Sequence, residues 1–261
     1  MNPPLISCIV PAFNGERYLR EALDSILAQT YRPLEIIVAD DGSADGTAAV
    51  VAGYSENIRH LVQSNAGPAA TRNLGLGAAR GEFVAFLDQD DCWHPEKLAR
   101  QMVRFRARCE LDLCVTHVRM LWIPELAREQ AHYQDHPRGQ VVAGYTSGTF
   151  LARRALFDSV GQFNAALWFG DATEWLLRAA EHGVVMELLQ EVLTYHRVHH
   201  TNLSRRRAWA SRDEYIRIVK ASLDRRRRLD GTVPAWYQFP ASNWRQRVSP
   251  TRVDTSRCSG C

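Results

Sequence analysis

Four short, almost unbroken apolar runs dominate the first ninety residues: "LISCIVPAF", "LEIIVAD", "IRHLVQ" and "EFVAFLD". Their hydrophobicity is continuous rather than alternating, so each reads as a strand buried on both faces, which is the mark of a mostly parallel sheet covered by helices. The segments between them supply those helices. "ERYLREALDSILAQT" repeats apolar residues at Leu19, Ala22, Leu23, Ile26 and Leu27, "DGTAAVVAGY" offers Asp45 as an N-cap, and "GPAATRNLGLGAAR" follows the third run. The fold class expected is α/β, with layers of helices about one sheet.

The pattern loosens further on. "HPEKLARQMVRFRARC" predicts a helix with Pro95 in its first turn, and "LCVTHVRML" a strand. Residues 124 to 145 are polar and without period, and read as a long loop covering a site. Order returns with "TSGTFLARRALFDSVGQF" and with the helix "DATEWLLRAAEHG", ended by Gly183. A basic amphipathic helix spans 208 to 228 within a segment 205–230, and 231–261 reads as a flexible tail.

The longest apolar runs are under about ten residues, well short of the roughly 20 a membrane-spanning helix needs. The N-terminus lacks a basic segment ahead of a long apolar one, so a cytoplasmic protein is expected. Six cysteines (Cys8, Cys92, Cys109, Cys114, Cys258, Cys261) form no framework and are expected reduced; Cys258 and Cys261 have CxxC spacing but no second ligand pair. From Ser204 onward 14 Lys and Arg face 5 Asp and Glu, so the formal charge of +3 conceals a positive C-terminal segment behind a negative body.

Chemistry is concentrated where the strands end. In an open parallel sheet the residues that finish strands converge on one crevice. Here "ADDGS" supplies Asp40 and Asp41, and "LDQDD" supplies Asp88, Asp90 and Asp91. A lone aspartate at such a point is a turn or cap residue. Three carboxylates within four residues repel one another unless a cation holds them, and Mg²⁺ or Mn²⁺ suits such a sparse oxygen set.

Taken in order, "ISCIVPAFNGERYLREALDSILAQTY", "LEIIVADDGSADGT" and "NAGPAATRNLGLGAARGEFVAFLDQDD" resemble the N-terminal half of a family 2 glycosyltransferase of the GT-A fold. The resemblance implies a domain over 1–204, with a nucleotide-sugar-binding half (1–105) and an acceptor-side half (106–204). It implies that Pro11, Ala12 and Phe13 line the nucleotide pocket, that Asp41 bonds the base, usually uracil, and that Arg72 lies near the nucleotide sugar. It also implies that Asp88, Gln89 and Asp90 form the D-x-D motif, whose aspartates hold Mn²⁺ or Mg²⁺ on the diphosphate of the donor. Read without the resemblance, Arg72 could equally be a surface helix residue. "GLGAARG" lies inside a helix and before a strand, the reverse of dinucleotide-binding order, and is set aside.

Transfer with inversion needs a carboxylate to take the proton of the acceptor hydroxyl. Related enzymes place it in an acidic motif opening a helix, and "WFGDATEWLL" offers Asp171 and Glu174 but has Ala172 where a second acid often falls. Asp171 is favoured over Glu174, although a plain helix cap would also explain it. His199 in "YHRVHHTNLS" matches a family histidine that completes the metal shell or touches the diphosphate; a structural histidine is the alternative. His132 and His136 lack a third ligand, and Asn202 heads an N-x-S sequon that a cytoplasmic chain would not use.

In the basic helix, Tyr215, Ile218, Val219 and Leu223 form a stripe bordered by Arg212, Arg217, Lys220 and the Arg225 to Arg228 run. Two readings stay open: packing on its own domain, or peripheral contact with the inner membrane face or a lipid-linked acceptor. No motif suggests nucleic acid. The reading reached is a metal-assisted hexosyltransferase using a nucleotide sugar, a UDP-sugar above others, in cell-surface polysaccharide or other glycoconjugate synthesis. The alternatives are a catalytically degenerate adaptor domain and a sugar-phosphate nucleotidyltransferase.

Overall fold

In the computed structural model, which describes residues 2–54, 58–133, 141–206 and 208–228, the four apolar runs are strands. β1 (Ile6–Ala12), β2 (Leu34–Asp40), β3 (Ile58–Val62) and β4 (Phe83–Phe86) pair in parallel in the order β3-β2-β1-β4. Register puts Ala12 beside Asp40 and Asp40 beside Val62, so all four strands end on one edge. Successive side chains of β1 point to opposite faces. Cys8 and Val10 join a core with Leu23 and Ile26 of α1 (Leu19–Leu27); Ile9 joins the other core.

The helices that follow sit as their sequences require. α2 (Thr47–Ala52) has its first turn bonded by Asp45, whose carboxylate accepts the Thr47 amide at 3.0 Å. α3 (Pro68–Ala78) begins on Pro68 and contains the "GLG" segment within it. α4 (Lys97–Ala107) starts two residues beyond Pro95; that proline precedes the helix instead of entering its first turn, and its carbonyl accepts the Thr30 amide.

The second half adds the strand expected at "LCVTHVRML", here β6 (Leu113–Trp122), and four that the sequence pattern did not reveal. β5 (Cys92–Trp93), β6, β7 (Val142–Ala143), β8 (Leu151–Arg153) and β9 (Met186–Val198) extend the sheet as β4-β8-β6-β9-β5, with β7 on β6. β8 is antiparallel to both β4 and β6, and β9 is parallel to β6. β9 therefore runs in the same sense as β4, and both finish at the crevice edge.

The expected loop over 124 to 145 is corrected. A 3-10 turn at Pro124–Leu126 leads into α5 (Ala127–His132), and β7 closes back on the sheet. Leu126 packs with Ile123 and Val198, enough to anchor a short run of helix formers that exposes its polar side. Residues 134–140, His136 among them, lie outside the described residues, as do the tail and its Cys258 and Cys261.

After α6 (Leu156–Ser159), α7 (Asp171–Glu181) is pinned by Trp175, fully buried and stacked on Phe157 at 4.6 Å, its indole N–H donating to the Gly161 carbonyl. It ends at Gly183, whose φ is +72°. α8 (Leu203–Arg206) then leads to α9 (Ala208–Arg228), which docks on α7. Ile218 is buried over Gly170, where a β-carbon would lie 2.4 Å from its Cδ1 and force that side chain to shift. Glu214 accepts the amides of Trp168, Phe169 and Gly170 at 2.9, 2.7 and 2.8 Å, capping the approach to α7 with a carboxylate at its positive end. Ser222 and Arg225 both bond Glu181. The stripe read from the sequence is thus divided: Ile218 packs on the domain, whereas Tyr215, Val219 and Leu223 are 40%, 50% and 45% exposed. Among the described residues no helix is long and apolar enough to cross a membrane.

Candidate active site

The crevice is built where β1, β2, β4 and β9 end. Its central cation is Arg72, in the second turn of α3. It is 6% exposed, so it is no surface residue. Nη1 donates to Asp171 Oδ2 at 2.6 Å and Nη2 to Asp88 Oδ1 at 2.5 Å. Burial alone would lower its pKa, but the charges of Asp171 and Asp88 overcome that and hold the guanidinium firmly protonated. Its Nε is buried and has no hydrogen-bond partner among the described residues.

Asp171 is buried at the start of α7, yet the helix has no side-chain cap; Gly170 occupies the cap position, and the Asp171 carboxylate turns to Arg72. A plain capping role is therefore not what holds it. Glu174 is also buried, but it faces elsewhere: both its oxygens accept Arg178 Nε at 2.9 Å, and Arg225 lies 3.9 Å away. The structure brings Asp171, and not Glu174, to Asp88.

The D-x-D residues have three different fates. Asp88 is about one-third exposed, and among the described residues only its Oδ1 is bonded. Gln89 points back, accepting the Phe13 amide at 2.8 Å and donating to the Phe13 carbonyl at 3.0 Å. It clamps the end of β1, and a β-carbon at Gly15 would fall 2.3 Å from Gln89 Oε1 and displace that clamp. Asp90 Oδ2 meets His199 Nε2 at 2.9 Å and Asn202 Nδ2 at 3.2 Å. Burial would raise the Asp90 pKa, but the bond from His199 and the charge of His196 keep it below its usual value. Asn202, noted in the sequence only for its sequon, is buried and also accepts the His199 amide.

Pro11, Ala12 and Phe13 follow one another along the finishing strand: the first two are buried, while Phe13 is 45% exposed at the crevice mouth. Asp41 is 3% exposed. Its Oδ1 accepts Gln63 Nε2 and the Ala66 amide, and its Oδ2 the Gly67 amide, fastening the segment between β3 and α3. A carboxylate has about four acceptor positions, so one on Oδ2 remains.

Sequence reasoning counted Asp91 in the carboxylate cluster without giving it a role, and missed His196 and Arg197. Asp91 is buried; its Oδ1 accepts the Arg197 amide at 2.9 Å and its Oδ2 meets His196 Nδ1 at 3.0 Å. Burial pushes Asp91 up to about 6, and the Asp91 carboxylate pushes His196 up to about 9. Arg197 donates Nε to the Asp90 carbonyl and bonds Glu21 of α1. These contacts rivet β9 to the D-x-D turn. The signal was present in the third carboxylate, but its partners lie in a strand that had not been read as one.

Chemically, the edge offers oxygen donors from Asp88 and Asp90 and an imidazole from His199. Among the described residues no group of three His, Cys, Asp or Glu side chains is gathered closely enough to hold an ion alone.

Comparison with known proteins identifies the family. The family model described as Glycosyl transferase family 2 matches residues 7–161. An uncharacterized glycosyltransferase of Nostoc sp. is 31% identical over 213 residues, covering 76% of this chain and 66% of that protein. One of Rickettsia typhi is 41% identical over 99 residues, 38% of this chain and 31% of its own length. Among solved structures, S. aureus TarS 1-349 in complex with UDP superposes with a TM-score of 0.61 at 25% identity, covering 74% of this chain and 60% of that one. The mannosyltransferase PcManGT from Pyrobaculum calidifontis, in complex with GDP-Man and Mn²⁺, has a TM-score of 0.63 at 22% identity, covering 89% and 66%. The chain thus spans less than a third of the Rickettsia protein and about two thirds or less of the others. With more than half of its residues matched by the family model, this chain belongs to glycosyl transferase family 2.

Proposed function

We propose that this chain transfers a glycosyl group from a nucleotide sugar, a UDP-sugar, to an acceptor hydroxyl with inversion at the anomeric carbon. The observation that carries the reading is Arg72, a buried cation bonded at once to Asp88 of the D-x-D motif and to Asp171 of α7. It unites a donor-binding carboxylate and a base candidate from opposite halves of the domain. The guanidinium also sets a fixed positive charge beside Asp88, which suits an anionic group such as a diphosphate.

Donor binding follows from the residues at the strand ends. Phe13 offers an exposed ring for stacking a base, and Asp41 has its remaining acceptor position for an imide N–H, as uracil carries. The TarS complex with UDP supports this nucleotide; the mannosyltransferase complex, at lower identity, speaks for the fold. Asp88, with one carboxylate oxygen free, and the Asp90–His199 pair are the groups that would hold Mn²⁺ or Mg²⁺ together with the diphosphate. Bound there, the ion would supply Lewis-acid stabilisation of the departing nucleoside diphosphate.

In the transfer, the acceptor oxygen forms a bond to the anomeric carbon as the bond from that carbon to the diphosphate oxygen breaks. The electron pair leaves with the nucleoside diphosphate. The acceptor proton goes to Asp171, which Arg72 holds in place through a single oxygen. Glu174, engaged by Arg178, serves α7 rather than the reaction. The test is release of nucleoside diphosphate from a panel of nucleotide sugars in Mn²⁺. Turnover lost in Asp171→Asn with donor binding retained supports the reading; full turnover in that variant contradicts it.

A further inference from the structure

A groove of about 1480 Å³ opens beside the crevice, and the donor reading leaves it without a role. It reaches the site directly, since His196 and Asn202 line it and Asn202 bonds Asp90. From there it follows α9. Among the described residues nine large apolar side chains are exposed, and five of them, Trp209, Tyr215, Ile216, Val219 and Leu223, belong to this one helix. The last four line the groove, opposite Met120, Trp122 and Val198 at the ends of β6 and β9. Solvent-facing apolar residues so concentrated mark a binding surface.

The charges on the same walls narrow what it binds. Arg205 is neutralised by Glu129 at 2.7 Å, and Arg227 lies 3.5 Å from Asp224. Arg212 and Lys220 also line the groove, are exposed, and have no ion pair among the described residues. The balance is an apolar trough edged by two unpaired cations, and the segment from Ser204 onward is the positive part of the chain. Tyr215 and Leu223 are eight residues apart, about 12 Å along a helix, room for a hydrocarbon chain rather than a single small group.

From this we infer that the groove holds the acceptor, and that the acceptor is an anionic amphiphile, a lipid bearing phosphate drawn from a bilayer. Its hydrocarbon lies on Ile216, Val219 and Leu223, its negative charge is met by Arg212 and Lys220, and its reacting hydroxyl reaches the Asp90 and Asp171 end. The inference rests on the donor reading for the word acceptor, but the surface is testable without it.

The experiment measures co-sedimentation of the full chain with phosphatidylcholine vesicles, plain or doped with phosphatidic acid. Wild type, Ile216→Asp/Val219→Asp and Arg212→Glu/Lys220→Glu are compared, with UDP binding in Mn²⁺ followed in parallel. The expected result is binding to doped vesicles only, weakened about tenfold or more in each double variant, with UDP binding unchanged. Wild type that ignores doped vesicles overturns the inference. So does an apolar variant that binds as wild type while the charge variant fails, because that is surface adhesion without the groove. Loss of UDP binding in wild type would sink the donor reading alone and leave the vesicle result to stand or fall by itself.

Discussion

Arg72 and Asp171 lie 99 positions apart in the chain and are joined by a hydrogen bond of 2.6 Å, both residues buried. That bond closes the crevice between α3 and α7, and on its other side the guanidinium holds Asp88. Removing the cation strands two carboxylates that cannot both be solvated. Arg72→Ala is expected to cost roughly 3–5 kcal/mol of stability, the scale for breaking a buried pair. Arg72→Lys, with one point charge in place of a fork, recovers only part of it. Urea unfolding of the two variants checks this.

Asp171 is predicted to act in the chemical step and not in donor binding. Asp171→Asn keeps the size and one acceptor for Arg72, so kcat is expected to fall by about 10²–10⁴ while donor affinity stays within a few-fold. Glu174→Gln loosens α7 through Arg178 and is expected to lower stability more than turnover of the folded enzyme. Parallel kinetics and thermal unfolding separate the two residues.

Glu214 couples α9 to the residue before Asp171. Its carboxylate accepts three amides, and Glu214→Ala leaves all three buried or half-buried donors unmatched. A loss of about 2–3 kcal/mol is expected, at the lower end for Glu214→Gln, which keeps one acceptor oxygen. Chemical denaturation measures the loss.

Lys97 gives a pH signature. It is fully buried, its Nζ donating to Gln101 and to the Phe150 carbonyl and lying 4.3 Å from the Trp93 ring. Burial pushes it down from 10.5 to about 7. Between those values the unfolded chain binds the proton and the folded chain does not, so this group makes stability rise with pH from about 7 to 10.5. Three other groups act oppositely. His196, raised to about 9, loses its contribution as pH climbs from 6.5 through 9, and the buried thiols of Cys8 and Cys114, raised to about 12, oppose unfolding less above 9. The difference between wild type and Lys97→Met isolates the lysine. It is expected to move in favour of wild type by up to about 5 kcal/mol across the window, measured by unfolding at a series of pH values.

The parallel half of the fold was legible because buried strands and their covering helices are each read from local period. Ile9 and Val10 need nothing beyond their neighbours to declare a strand. β9 was not legible: its polar Glu187, Gln190 and Glu191 interrupt the pattern, and only pairing along β6 makes it a strand. The site divided in the same way. Asp88 and Asp90 carried a charge signal strong enough to single them out, and Asp171 was found through the family resemblance. The partners that give them meaning, Arg72 for two of them and His199 with Asn202 for the third, meet only after the two halves pack. Gln89 and Asp41 were read for their place in motifs, and the structure adds backbone-holding contacts to both.

The central claim is a donor site that needs both its carboxylates and a divalent ion. Titration calorimetry of UDP into the full chain, in Mn²⁺ and in EDTA, with wild type and Asp90→Asn, tests it most directly. Binding in Mn²⁺ that disappears in EDTA and in Asp90→Asn is the predicted result. UDP binding of equal strength in all four combinations would contradict it.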